Sequence, residues 1–237
     1  MYGLSALTLV TAQNSTGIQA LQPLPTAFIG QQIDSVLTDI GADAIKTGLL
    51  LRADVITLVA EKAAQYGPLP LIVDPVLVDG RGQPLVAAEA LDAYRLTLFP
   101  RALIVTPNRD EAALLTGHAV DTLDDLHQAA RALTAFGVCY ALVKGGHLPG
   151  DSVIDVLYDR ERDHMVELRA PRLARWNARG TGCTFASAIA AEVAKGAAVP
   201  DAVRIAKDYV TGALQAASGW TFGAGRGTVW HGFRSVS

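Results

Sequence analysis

Short apolar runs ending on a polar residue, each followed by a helical pattern, constrain this chain more than anything else in it. Leu69–Asp74 (LPLIVD), Ala102–Val105 and Cys139–Val143 are such runs, with Asp74, Asn108 and Lys144 at or just beyond their ends. Continuous apolar runs of this length read as strands buried on both faces. Strands alternating with helices imply parallel βαβ units covered on both sides, with ligands at the carboxyl ends of the strands.

Leu4–Thr11 reads as a buried first strand, and Asp43–Lys46 as a short one. Helices are predicted from Pro25 to Ile40 and over Asp54–Tyr66, Ala87–Thr97, Arg109–Leu115, Leu123–Phe136, Thr181–Lys195 and Asp201–Ala217. Proline at one helix start, and glycine after Ile40, Leu115 and Phe136, supply start and stop signals. Val153–Tyr158 and His164–Leu168 read as an antiparallel hairpin.

The 237 residues are half hydrophobic and 18% charged, which allows a substantial core in one or two domains and excludes a disordered chain. A net charge of −3 gives no electrostatic case for nucleic acid. Two cysteines, Cys139 and Cys183, form no disulfide framework or paired zinc spacing. That scarcity fits a reducing compartment, so a cytoplasmic location is expected. Neither a leader pattern nor a membrane-length apolar run is expected.

The chemistry concentrates at Gly180-Thr181-Gly182-Cys183-Thr184, which opens a helix rich in small residues. Backbone N–H groups and the helix dipole at such a turn suit phosphate. The same field is expected to lower the Cys183 thiol pKa, making it a base or nucleophile; a small filler cysteine is the plainer reading. Asp74 suits Mg²⁺ or is a turn former before Pro75. Asn108 and Glu111 have capping-box spacing, or Glu111 serves the metal. Lys144, followed by Gly145-Gly146-His147, offers phosphate a positive charge and a close-approaching backbone, or is a surface turn. Gln13 and Leu49 offer a polar edge and an apolar surface to a flat ring. No Walker-A pattern occurs, and Gly223-Ala224-Gly225-Arg226-Gly227 follows no strand, so it is discounted as a dinucleotide fingerprint.

Thr11-Ala12-Gln13-Asn14, Lys46-Thr47-Gly48, Asp74-Pro75-Val76, Thr106-Pro107-Asn108 with Glu111, Lys144-Gly145-Gly146-His147 and Gly180-Thr181-Gly182-Cys183-Thr184 occur in one order. In that order they resemble the hydroxymethylpyrimidine/phosphomethylpyrimidine kinases of the ribokinase-like superfamily, across essentially the whole chain. The resemblance implies one domain over residues 1–237, a three-layer α/β/α sandwich with a mostly parallel sheet. It implies ATP-dependent phosphorylation of 4-amino-5-hydroxymethyl-2-methylpyrimidine and its monophosphate in thiamine biosynthesis.

It also implies roles. Gly180, Thr181 and Gly182 form an anion hole, and Cys183 accepts the substrate's proton. Lys144, Asn108 and Thr181 contact ATP phosphates. Asp74 and Glu111 organise Mg²⁺, while Thr11, Gln13, Leu49, Val76 and Cys183 line the pyrimidine pocket. The helix Asp201–Ala217 and the Gly223–Gly227 loop are the implied adenine contacts, and a homodimer is the implied assembly. Arg179 stands where the family usually carries His. Family members begin with a strand, an Asp-Pro-Ser-Gly-Gly-Ala-Gly loop and a helix, and this chain starts where that helix ends. Reduced stability and weak activity are therefore expected. The alternatives are a pyridoxal kinase, a ligand-binding form without catalysis and, least favoured, a Cys-His hydrolase.

Overall fold

The structure is a computed structural model that describes residues 1–80, 82–146, 148–173, 179–225 and 227–234. Its centre is a six-stranded sheet in sequential order: β3 (Ile45–Thr47), β4 (Leu71–Val73), β5 (Ile104–Val105), β6 (Tyr140–Lys144), β7 (Ser152–Asp159) and β8 (His164–Pro171). The first four strands run parallel, whereas β7 and β8 join antiparallel.

Side chains alternate across this sheet, and both faces are apolar. Leu71, Val73, Val105, Ala141 and Val143 pack against α1 (Thr26–Asp39), α2 (Ala53–Gln65), α3 (Ala88–Ala93), α4 (Arg109–Thr116) and α5 (Leu123–Thr134). Ile72, Ile104, Leu142 and Leu157 face α6 (Thr181–Ala194) and α7 (Val199–Ala216). That is why these strands read as continuous hydrophobic runs, and it makes the molecule a three-layer α/β/α sandwich. Most helices begin and end within two residues of expectation, and Gly117 closes α4 in the left-handed conformation at φ +78°.

Two expectations fail. Leu4–Thr11 is not a buried strand of the central sheet. The chain forms a separate hairpin of β1 (Leu9–Asn14) and β2 (Gly17–Pro23), and Val10 is 51% exposed. An apolar run shows the capacity for a strand, but only partners decide which sheet it joins. The helix expected over Ala87–Thr97 stops at Ala93 and widens into a π-helical turn, Tyr94–Leu98, followed by a 3₁₀ turn, Phe99–Arg101. The widened turn lets Tyr94, Leu98 and Phe99 all enter the core, which overrides the regular helix. No helix among the described residues is long and apolar enough to cross a membrane.

Candidate active site

The carboxyl ends of β3, β4 and β6, the start of α4, the first turn of α6 and the β1–β2 hairpin enclose one cleft of about 770 Å³. Its walls include Thr11, Gln13, Leu49, Asp74, Val76, Asn108, Glu111, Lys144, Gly180, Thr181, Gly182 and Cys183. The expected catalytic, phosphate, substrate and metal residues therefore border the same cleft; of the implied adenine contacts, Lys207 and Val210 do so and the described residues of the Gly223–Gly227 loop do not.

Asp74 is the electrostatic centre and is only 2% exposed. Its Oδ1 accepts hydrogen bonds from Lys144 Nζ at 3.0 Å and Thr106 Oγ1 at 3.2 Å. Lys46 Nζ lies 3.6 Å from Oδ2, which is buried without a hydrogen-bond partner. Burial alone would raise the Asp74 carboxyl, but Lys144 and Lys46 hold it below its ordinary value. Conversely, burial would lower the Lys144 ammonium, and Asp74 and Glu111 raise it. Lys144 is thus a fixed cation at a strand end, not a surface turn. Lys46, whose motif the sequence displayed without a role, is the second cation of this cluster.

Asn108 caps α4: its Oδ1 accepts from Glu111 N, and Glu111 Oε2 accepts from Asn108 N at 2.8 Å. Glu111 Oε1 also accepts from Leu77 N. The structural reading of this pair therefore holds, and it places a buried carboxyl on the cleft wall. Burial is the main cause raising Glu111 to about 7, and Asp74 adds to it, against Lys144.

The glycines divide their labour. Gly180 sits at φ +83° and turns the chain into α6. A Cβ on Gly182 would come within 2.9 Å of Lys144 Nζ, so this glycine lets the lysine reach the anion turn. Gly145 has a different reason from the ligand approach expected of it. A Cβ there would meet Ile154 O at 2.1 Å, while Gly145 N donates to Asp155 Oδ1 at 2.9 Å. Its partner His147, like Asn177 and Ala178 before the anion turn, lies outside the described residues.

Cys183 corrects one expectation. The thiol opens onto the cleft, but protein packed around it and the neighbouring Asp74 carboxylate push it up to about 11. Lys46 and Lys144 pull the other way and lose. A helix N-terminus stabilises a thiolate only where no stronger local anion opposes it.

Sequence reasoning missed three groups. Lys207 of α7 and Asp155 of β7 pair at 2.6 Å in the cleft wall, both nearly buried. Tyr94 is wholly buried, with its hydroxyl unpartnered and raised by burial and by Asp74 and Glu111. Spacing gives no signal for contacts between elements this far apart. A buried lysine inside a helix pattern was the one available hint for Lys207.

The chain matches the phosphomethylpyrimidine kinase family over residues 1–230. It is 50% identical over 232 residues to the hydroxymethylpyrimidine/phosphomethylpyrimidine kinase of Streptomyces coelicolor, covering 98% of this chain and 84% of the relative. Among solved structures, an ADP complex of Bacillus subtilis pyridoxal kinase superposes with a TM-score of 0.90 at 33% identity, covering 100% of this chain and 88% of that one. The phosphomethylpyrimidine kinase of Clostridium difficile superposes at 0.76 and 33% identity, covering 89% of this chain and 85% of its own. With its cleft, its sequence and its ribokinase-like fold in agreement, the chain belongs to the phosphomethylpyrimidine kinase family.

Proposed function

We propose that this chain transfers the γ-phosphoryl group of ATP to the hydroxymethyl oxygen of 4-amino-5-hydroxymethyl-2-methylpyrimidine, and then phosphorylates the resulting monophosphate, in thiamine biosynthesis. It is a phosphotransferase of the hydroxymethylpyrimidine/phosphomethylpyrimidine kinase class. The observation that carries the substrate-level reading is the meeting of Lys144, Asp74 and Cys183 with the Gly180–Gly182 turn on one cleft. Phosphoryl transfer asks little covalent chemistry of a protein; it asks for position and for charge placed where the phosphoryl oxygens move.

The cleft divides accordingly. Thr11, Gln13, Leu49 and Val76 border the pyrimidine side. The first turn of α6 and Lys144 face the transferred phosphoryl group, with Thr181 and Asn108 on ATP phosphates. Lys207 and Val210 of α7 border the nucleotide side. Cys183 is placed to take the hydroxymethyl proton, which it does only as the thiolate; pushed up to about 11, the thiol is mostly protonated near neutral pH, so its work as a base grows as pH rises and the thiolate forms.

The residues fit Mg²⁺. Asp74 Oδ2 is a buried carboxylate oxygen without a hydrogen bond, and Glu111 lies nearby. Mg²⁺ is commonly held by one or two carboxylates together with waters and substrate phosphates. Asp74 and Glu111 would hold it, and it would neutralise phosphate charge. A cytoplasmic homodimer belongs to the same reading.

Pyridoxal is the second reading, favoured by the superposition on a pyridoxal kinase. ADP formation with Mg-ATP and hydroxymethylpyrimidine, beside pyridoxal and a Cys183→Ala control, decides between them. We expect turnover on the pyrimidine that collapses in the control. Faster turnover of pyridoxal, or none on either alcohol, refutes the pyrimidine assignment.

A further inference from the structure

The tip of the β1–β2 hairpin touches the glycine loop near the C-terminus, across almost the whole chain. Asn14 Oδ1 accepts from Thr16 N, Thr16 Oγ1 and Gly17 N, so the hairpin turn is preformed. Ser15, at its apex, meets two glycines. Gly225 N donates to Ser15 Oγ at 3.3 Å. A Cβ on Gly225 would lie 1.9 Å from Ser15 O and 2.8 Å from Thr16 N, both backbone atoms that cannot swing away. A Cβ on Gly223 would lie 2.4 Å from Ser15 Oγ.

The loop is itself anchored. Trp220 and Trp230, on either side of it, bring their rings to 4.9 Å, and Trp220 also meets Phe222 edge-on at 5.5 Å. Gly227 O accepts from Arg179 N at 2.9 Å, and Arg179 immediately precedes the Gly180–Cys183 turn. Elsewhere the hairpin is held at its base, by the Gln32 side chain on the Leu7 backbone and by Thr8 Oγ1 on Leu49 O. The hairpin that carries Thr11 and Gln13 therefore meets Gly225 at its apex, and Gly227, two residues along the chain, meets the residue before the anion turn. Gly225 is a glycine here for close approach to a protein backbone.

We propose that Ser15 and Gly225 are a positioning pair that couples the hairpin over the pyrimidine side of the cleft to the anion turn on the phosphate side. The inference deepens the kinase reading and rests on it. Breaking the contact leaves each ligand's own binding residues in place and removes the advantage one ligand gives the other.

The test compares the full chain, Gly225→Ala, Ser15→Ala and Gly219→Ala. A Cβ at Gly219, outside the glycine loop, meets nothing within 4 Å, so that variant is the control. Hydroxymethylpyrimidine affinity is measured with and without AMP-PCP. We expect the analogue to tighten the pyrimidine roughly tenfold in the wild type and in Gly219→Ala, and about onefold in Gly225→Ala, with Ser15→Ala between. KM for the pyrimidine should rise in Gly225→Ala more than kcat falls. Hydrogen exchange without ligands should show lost protection over residues 9–23 in Gly225→Ala only. Equal coupling in Gly225→Ala and wild type, no coupling in the wild type, or unchanged hairpin protection overturns the proposal. Ser15→Ala, at an exposed turn, keeps the test open if Gly225→Ala fails to fold. Wild-type turnover judges the kinase reading separately, since the exchange measurement needs no substrate.

Discussion

Removing the Asp155 carboxylate should loosen the phosphate side of the cleft from within. Asp155 Oδ2 takes Lys207 Nζ at 2.6 Å and Oδ1 takes Gly145 N at 2.9 Å. Both charged side chains are nearly sealed from water, at 5% and 7% exposure. Taking one partner from a buried ion pair costs roughly 3–5 kcal/mol, because the remaining charge stays desolvated. Depriving the Gly145 N–H of its acceptor adds about 1–3 kcal/mol. Asp155→Ala should therefore lose about 4–8 kcal/mol, which for a chain of this size is roughly 10–30 °C in Tm. Lys207→Met should lose less, since Asp155 keeps the Gly145 amide, and Asp155→Asn should fall between. The double variant Asp155→Ala/Lys207→Met should be clearly less damaged than the sum of its parts, because no buried charge is left behind. Urea and thermal unfolding of the four proteins give the cycle, and KM for ATP reports the loop. An Asp155→Ala cost below about 1 kcal/mol, or strict additivity in the double variant, would refute the reasoning.

Two further outcomes follow from the site's charges. Glu111 titrates near 7 in the fold, above its ordinary 4.5, so the stability tied to its neutral form is complete below about 4.5 and is lost as pH rises through 7. Without nucleotide or divalent ions, the wild type should lose up to about 3 kcal/mol relative to Glu111→Gln between pH 4.5 and 8, read by denaturant melts; a pH-independent difference sinks the assignment. Lys46→Met leaves Asp74 its Lys144 partner but removes the cation 3.6 Å from Oδ2. It should lower kcat/KM about tenfold or more with little change in Tm, and a variant with wild-type kcat/KM would remove Lys46 from the phosphoryl-transfer machinery.

What the sequence determined by itself is local. Strands of one to two turns' worth of apolar residues, helix caps such as Asn108 with Glu111, and glycine stops at Gly117 are written within a few residues of where they act. The order of motifs along the chain puts polar residues at successive strand ends and carries the family resemblance, which implies the rest of the site, such as Thr11 and Val76; these residues line one cleft. Tertiary structure decided the rest. Leu9–Asn14 had every property of a strand, yet its pairing with Gly17–Pro23 instead of the central sheet depends on what other strands offer. Cys183 sat at a helix start that should lower its pKa, yet burial in the folded chain, with Asp74 from more than a hundred residues earlier adding to it, reverses the sign. Lys207 meets Asp155, and Ser15 meets Gly225, only because the fold carries distant segments into contact. Periodicity and capping act over one or two turns of chain, whereas electric fields and close packing act through space, and a sequence has no axis along which to read them.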